Sequence, residues 1–228
     1  MAHHSDNQDF TDIAALTIHD VKNNLAQLAS EAESRGDIKS MQVAMEASGT
    51  LSGLLCFYKS ETHNLHVQIE LQDPAELLVD LIAAIATNHP AKSSISIIQE
   101  TSQAPGIWFY DRTLIQMVLA NALQNALRYA RHQITITVAD YSGQLMFQIQ
   151  DDGDGYPQAV LENLDSHSPV TRHGTGLGLR LAQRVMALHQ NQGKSGSIRL
   201  SNRMSNTNNW DITNSAKNNG ACFQLFLP

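Results

Sequence analysis

A length of 228 residues suits one large domain or two modest ones, and a content of 42% hydrophobic and 16% charged residues is typical of a folded, soluble protein. The formal net charge of −7 argues against a broad basic face, so we expect no nucleic-acid partner. The two cysteines match no disulfide or metal-binding spacing, and the longest apolar stretch is interrupted by Asp80. We therefore expect a cytoplasmic protein with no membrane partner.

Residues 10–60 are predicted to form a helical hairpin, because apolar positions recur at alternating spacings of three and four residues. The turn contains Gly36 as the helix breaker and Asp37 as an N-cap. Two helices alone bury little surface, so we expect a homodimer in which two hairpins form a four-helix bundle. The alternative is a hairpin that docks on the second domain. The first apolar run comprises Ile18, Val21, Leu25, Leu28 and Ala32, and the second comprises Met41, Ala44, Ser48, Leu51, Leu55 and Tyr58.

The second domain, residues 66–228, is predicted to be an α/β sandwich, because strand-like and helix-like patterns alternate in mixed order. Residues 202–220 are rich in Asn and Ser and are expected to form a long exposed loop between the last two strands. The predicted strands are 67–71, 94–99, 107–110, 133–139, 145–151, 197–201 and 221–227, and the predicted helices are 74–88, 111–129 and 176–189.

The segment Asn121–Tyr129, NALQNALRY, places polar residues in an otherwise apolar helix. Asn121, Asn125 and Arg128 follow at spacings of four and three, so they share one helical face. Amide oxygens are hard ligands suited to Mg²⁺, and an arginine suits phosphate oxygens. A polar stripe that faces solvent is the alternative.

The segment Asp151–Gly155, DDGDG, ends a predicted strand. Gly153 and Gly155 allow a tight turn and a close approach to a flat ligand. A carboxylate just before them suits an exocyclic amine such as that of adenine. An acidic turn or part of a calcium loop is the alternative, although the terminal glutamate of a calcium loop does not follow.

The segment Gly174–Leu179, GTGLGL, opens a predicted helix. Free backbone amides at a helix N-terminus bind phosphate. The segment is not the dinucleotide fingerprint, because its spacing is GxGxG and no strand leads into it. The three motifs together therefore predict a pocket for ATP and Mg²⁺.

In this order, the three motifs resemble the N-box and the two glycine boxes of the ATP-binding domain shared by sensor histidine kinases, type II topoisomerases, heat-shock chaperones and mismatch-repair ATPases. The resemblance implies that Asn125 binds Mg²⁺ with help from Asn121, that Arg128 and Tyr129 line the phosphate and base sides, and that Asp151 reads adenine. Hydrolytic relatives carry a glutamate where this chain has Asn121, which favours a kinase. The implied glycine-box residues are Gly153, Gly155, Gly174, Thr175, Gly176, Leu177, Gly178 and Leu179.

The segment His19–Leu25, HDVKNNL, resembles the phosphoacceptor box of dimeric histidine kinases. His19 lies off the apolar seam, and Asn23 lies one turn further along the same face. The resemblance implies that His19 accepts phosphate, that Asp20 fixes its tautomer, and that Asn23 positions water for dephosphorylation. A surface histidine is the alternative.

Together these features predict an α+β protein of histidine-kinase type, in which the hairpin forms a four-helix bundle on dimerisation and the ATPase domain follows. It would autophosphorylate His19 from Mg-ATP, pass the phosphate to the receiver domain of a response regulator, and act also as a phosphatase of that regulator. The signal would come from an upstream sensor protein or from another part of a longer chain. The alternatives are an inactive phosphotransfer scaffold, favoured by the absence of phenylalanine between Phe147 and Phe223, and an anti-sigma-type serine kinase, which lacks a phosphoacceptor hairpin.

Overall fold

The computed structural model describes residues 3–61, 65–88, 95–162, 177–204 and 218–228. The chain divides into two compact units, Met1–Leu65 and His66–Pro228. Within the described residues, no helix has the length and apolar character needed to cross a membrane.

The first unit is a pair of helices, α1 (His3–Ser34) and α2 (Ile38–Glu61). Gly36 has a φ of 69°, the left-handed conformation that ends a helix, and the Asp37 carboxylate accepts the Ser40 amide at 3.1 Å. The predicted helix breaker and N-cap are therefore confirmed. Helix α1 begins earlier than residue 10, because the polar N-terminal segment continues the same helix.

The apolar stripe of the hairpin is only partly buried within a single chain. Ala32, Met41 and Ala44 lie between the helices with 8% or less of their surface exposed. Val21 and Leu28, which belong to the same predicted seam, are 40% and 52% exposed. The stripe is thus wider than one helix–helix contact can cover.

The strands of the second unit are β1 (Glu70–Gln72), β2 (Ser96–Gln103), β3 (Trp108–Tyr110), β4 (Gln133–Tyr141), β5 (Gln144–Asp151), β6 (Gln190–Asn191), β7 (Lys194–Ser195), β8 (Ser197–Met204) and β9 (Asn218–Leu227), and its helices are α3 (Pro74–Asn88), α4 (Arg112–Tyr129), α5 (Gln158–Glu162) and α6 (Leu177–Leu188). Five of the strands form one sheet with the order β2-β4-β5-β9-β8, in which only the β2–β4 pair is parallel. Helices α4 and α6 pack on each other and on the sheet. Strands β1 and β3 form a separate antiparallel ribbon, and β6 and β7 form a small hairpin.

The core of this unit lies where α4 and α6 meet the sheet. Strand side chains alternate between the two faces, so every second residue of β4 and β5 points the same way. Ile134, Ile136 and Val138 are fully buried, as are Leu119 and Leu123 of α4. This core fixes α4, which carries the asparagines, relative to the end of β5, which carries Asp151.

A buried hydrogen-bond network sets the start of α4. The Asp111 carboxylate accepts the Leu114 amide at 3.0 Å as the predicted N-cap and accepts the Gln68 amide at 2.8 Å through its other oxygen. The Asp111 amide donates to Nε2 of His189, directly after α6, at 3.1 Å. Since Nδ1 of His189 lies 2.8 Å from the Val185 carbonyl, the ring carries its proton on Nδ1.

The structure corrects several predicted boundaries. Strand β1 begins at Glu70 rather than residue 67, because the Gln68 amide bonds to the Asp111 side chain. The predicted loop 202–220 is wrong at both ends, since Asn202–Met204 and Asn218–Gly220 continue the β8–β9 ladder. Helix α5 and the β6–β7 hairpin were not predicted, because each is too short to show a hydrophobic period.

Candidate nucleotide-binding site

The two asparagines of α4 meet on one helical face, as their spacing predicts. Nδ2 of Asn125 donates to Oδ1 of Asn121 at 3.4 Å. This contact uses the Nδ2 side of the Asn125 amide, and Oδ1 of the same amide is the kind of oxygen that binds Mg²⁺. The buried neighbours Leu119 and Leu123 hold this part of α4 in place.

The start of α6 lies directly against Asn121. A Cβ placed on Gly178 would collide with Oδ1 of Asn121, so a larger residue there would force the Asn121 side chain to move. The structure therefore brings Gly178 to Asn121, 57 positions earlier in the sequence, and Asn121 in turn contacts Asn125. Leu177 and Leu179 flank Gly178 in the first turn of α6, and Gly174, Thr175 and Gly176 lie outside the described residues.

Asp151 is the buried carboxylate of the site, with 7% of its surface exposed. Its Oδ1 accepts the Gly153 amide at 2.8 Å and the Ala221 amide at 3.1 Å. Burial raises the pKa of Asp151, although the two amide bonds act in the opposite direction. Because both amides reach Oδ1, Oδ2 is the atom available to a ligand donor such as an exocyclic amine.

The other two aspartates of DDGDG have structural partners. Asp152 accepts the backbone amides of Arg131 and His132 at 2.7 and 3.0 Å. Burial by itself would raise the pKa of Asp152, but these bonds outweigh it and lower the pKa. Asp154 is exposed and pairs with the Arg131 guanidinium. Asp152 and Asp154 thus bind other parts of the protein, and Asp151 is the aspartate of this motif that is suited to bind a base.

The end of α4 packs against the first glycine of the same motif. A Cβ on Gly153 would collide with the Tyr129 carbonyl oxygen, so the loop and the helix end are in tight contact. The Tyr129 side chain is 54% exposed, and Arg128 is also exposed. Helix α4 therefore touches one glycine motif at Asn121 and the other at Tyr129.

Two contributors to the site were missed by sequence reasoning. Gly220 has a φ of 121°, and a Cβ there would collide with the Asp151 carbonyl oxygen. Asn202 bonds to the backbone of Tyr156, directly after DDGDG. Both residues fall in the segment predicted to be a loop, and no local pattern marks either of them. Only the register of β8 and β9 brings them to the site.

In the other unit, His19 and Asp20 have exposed side chains, at 70% and 79%. Nδ1 of His19 lies 3.2 Å from Nδ2 of Asn23 and 3.9 Å from Oδ1 of Asp20. An amide NH₂ only donates, so Nδ1 is the acceptor and the ring proton is on Nε2. The predicted bond from Asp20 to the ring is not formed in this arrangement, because Asn23 occupies Nδ1.

The fold and the site define the class of protein. Residues 110–228 match the model of the family described as histidine kinase-, DNA gyrase B-, and HSP90-like ATPase. This match covers more than half of the chain, and the chain belongs to that family.

The curated proteins to which the chain is similar include sensor proteins and histidine kinases. Aerobic respiration control sensor protein ArcB of Escherichia coli is 25% identical over an alignment of 187 residues, which covers 74% of this chain and 24% of ArcB. Signal transduction histidine-protein kinase AtoS of E. coli is 34% identical over 122 residues, 52% of this chain and 17% of AtoS. Adaptive-response sensory kinase SasA of Synechocystis is 29% identical over 140 residues, 57% of this chain and 37% of SasA. The chain thus spans between a sixth and two fifths of these relatives.

Solved structures share the fold. Full-length ShkA in complex with AMPPNP has a TM-score of 0.67 at 17% identity, covering 95% of this chain and 45% of ShkA. The Acinetobacter baumannii histidine kinase AdeS has a TM-score of 0.59 at 18% identity, covering 90% of this chain and 94% of the AdeS chain. The predicted combination of a helical hairpin and a sheet-based ATPase domain is confirmed.

Proposed function

We propose that this chain is the catalytic core of a two-component histidine kinase, which phosphorylates His19 from Mg-ATP and passes the phosphate to an aspartate of a response-regulator receiver domain. One observation carries the proposal: α4 packs against one glycine motif at Asn121 and the other at Tyr129. This arrangement joins the three sequence motifs into one site. Residues 10–60 would serve as dimerisation and phosphoacceptor hairpin, and residues 66–228 as ATP-binding domain.

The residues of the site fit Mg-ATP. Asp151 offers a buried carboxylate oxygen to the adenine amine, and the tight glycines let backbone approach the ligand. Asn125 and Asn121 supply amide oxygens for Mg²⁺, which when bound offsets charge on the phosphates. Among the described residues no cluster of three His, Cys, Asp or Glu side chains offers a competing metal site. Arg128 and Tyr129, at the end of α4, would face the phosphates and the base.

The proposed transfer needs no covalent partner other than His19. The lone pair of a neutral ring nitrogen attacks the γ-phosphorus, the bond to the bridging oxygen breaks, and ADP leaves with that electron pair. The side chain of His19 is 70% exposed, so a second domain has access to it. Catalysis would come mainly from positioning and charge stabilisation.

The position of the ring proton decides which nitrogen is the nucleophile. Asn23 holds Nδ1 as an acceptor, which leaves the proton on Nε2. Asp20 is 3.9 Å from Nδ1, roughly 1 Å beyond hydrogen-bonding distance. If Asp20 replaces Asn23, the proton moves to Nδ1 and Nε2 becomes nucleophilic. Asn23 is then available to position water for dephosphorylation of the regulator.

The hairpin supports a homodimer. Val21 and Leu28 expose apolar surface on the same helix that buries Ala32, and a second copy would cover that surface. The receiver domain would then reach His19 on the resulting four-helix bundle. An upstream sensor protein, or a sensor domain in a longer chain, would supply the signal.

The test is incubation of the purified protein with Mg²⁺ and γ-labelled ATP. We expect acid-labile, base-stable label that is lost in His19→Ala and kept in His66→Ala, a matched change of an exposed histidine outside the hairpin. Nucleotide binding without label would contradict autophosphorylation and favour a scaffold that another kinase phosphorylates. Base-labile label would instead indicate a serine kinase.

A further inference from the structure

The side chain of Asn202, on the edge strand β8, forms a two-point contact with the backbone that follows DDGDG. Oδ1 of Asn202 accepts the Tyr156 amide at 2.6 Å, and Nδ2 donates to the Tyr156 carbonyl oxygen at 2.8 Å. One amide side chain thus satisfies both polar groups of one residue, as a neighbouring strand would. The contact joins positions 46 residues apart.

The same amide packs against the second glycine of the motif. A Cβ on Gly155 would lie 2.7 Å from Oδ1 of Asn202, and Gly155 has a φ of 82°. Asn202 therefore fits only because position 155 is glycine, and the turn is held in its left-handed conformation by a partner from another strand.

The β8–β9 ladder connects this contact to Asp151. Asn202 is the register partner of Ala221, and the Ala221 amide donates to Oδ1 of Asp151 at 3.1 Å. Two adjacent strands thus hold the two ends of DDGDG, β9 at Asp151 and β8 at Gly155 and Tyr156. A shift of either end changes where Oδ2 of Asp151 lies relative to a bound base.

From this geometry we propose that Asn202 is a positioning residue for adenine recognition. It does not touch the nucleotide; it fixes the turn that carries Asp151, and so it sets affinity for the base and the preference for adenine over guanine. The inference rests on the proposed ATP-binding function. It concerns the base side of the site, whereas the phosphate side depends on Asn121, Asn125 and Gly178.

The test compares Asn202→Ala and Asn202→Asp with wild type by calorimetry, using ATP, GTP and inorganic tripolyphosphate. Asn202→Asp keeps the size of the side chain and the acceptor while removing the donor, so it provides a readout if the alanine variant does not fold. Asn191→Ala, on the exposed β6 strand, is the matched control. Hydrogen exchange at the Tyr156 amide reports directly on the contact.

We expect ATP affinity to fall about tenfold in Asn202→Ala, equivalent to ~1.4 kcal/mol, and by less in Asn202→Asp. The ATP-over-GTP preference narrows, tripolyphosphate affinity stays within about twofold, and the Tyr156 amide exchanges faster. Unchanged ATP affinity in both variants overturns the inference, and so does an equal loss for ATP and tripolyphosphate. If wild type binds no ATP, the proposed function itself fails and this inference with it.

Discussion

The two units of this chain build their polar sites in opposite ways. In the hairpin, His19 and Asn23 pair one helical turn apart on an exposed surface. In the second unit, Asp151 is buried and takes its partners from Gly153 and from Ala221, 70 residues away. The hairpin site depends on local helical geometry, whereas the nucleotide site depends on sheet register.

The units also differ in how they are stabilised. The second unit has a core of fully buried side chains, such as Leu119 and Ile136. The hairpin buries mainly small side chains, such as Ala32 and Ala44, and leaves Leu28 half exposed. We infer that the second unit is stable by itself, whereas the hairpin needs a second copy to cover its apolar stripe.

The largest expected effect is the loss of the proposed dimer when the apolar surface of the hairpin is changed. Leu28→Asp places a charge where two copies would meet, and we expect a loss of ~3 kcal/mol or more in dimer stability. Ser30→Asp, a change on the exposed side of the same helix, should leave the assembly intact. Light scattering across a concentration series measures both variants. A wild-type protein that is monomeric at micromolar concentration would contradict the four-helix bundle.

The next prediction concerns the contact between α4 and α6. Gly178→Ala should displace Asn121 and weaken ATP binding by about 30-fold, roughly 2 kcal/mol. Gly106→Ala is the matched control, since a Cβ on Gly106 meets nothing within 4 Å. Calorimetric titration with Mg-ATP gives both constants. Equal affinities in the two variants would mean that the asparagines do not contact the phosphate side.

Asp151→Asn should weaken ATP binding and at the same time raise the stability of the folded protein. We expect ATP affinity to fall roughly 10-fold or more, because a hydrogen bond to a charged group is worth about 1.5–3 kcal/mol. Stability at pH 7 should rise, since burial raises the pKa of Asp151 and its ionised form opposes folding. That gain should shrink as the pH falls through the raised pKa, where wild-type Asp151 becomes neutral. Thermal unfolding of both proteins from pH 4 to 8 measures it, and equal stability at every pH would contradict the cause given.

The smallest predicted effect concerns the pH dependence of folding stability that buried His189 causes. Burial lowers the pKa of His189, so the unfolded chain binds the proton more readily than the folded one. The stability from neutral His189 is fully present above the unfolded pKa of about 6.5 and is lost as the pH falls towards the lowered pKa. His189→Gln should flatten this slope and cost about 1 kcal/mol at pH 7.5. His66→Ala, a change at an exposed position, should alter stability by less than about 0.5 kcal/mol. Urea unfolding at several pH values measures the slope.

Much of the fold could be predicted from local signals. Helix α4 and its Asp111 cap, the Gly36–Asp37 turn and the β4–β5 hairpin all appear where the sequence predicts them. The β6–β7 hairpin was missed, although Gln192 and Gly193 have the positive φ values of a tight turn. Two-residue strands show no alternation that a sequence pattern can reveal. The catalytic and ligand roles of His19, Asp20, Asn23 and the three motifs stay predictions.

The sequence by itself determined which functional groups lie close together when they are one helical turn apart or belong to one short motif. The pairs His19–Asn23 and Asn121–Asn125 follow from helical periodicity, which needs no knowledge of the rest of the chain. Only the tertiary structure decided which aspartate of DDGDG is the buried one, and it alone brought Gly178 to Asn121 and Asn202 to Tyr156. These contacts join residues that are dozens of positions apart, and they depend on sheet register and helix packing. The local sequence pattern does not specify which distant residues will meet.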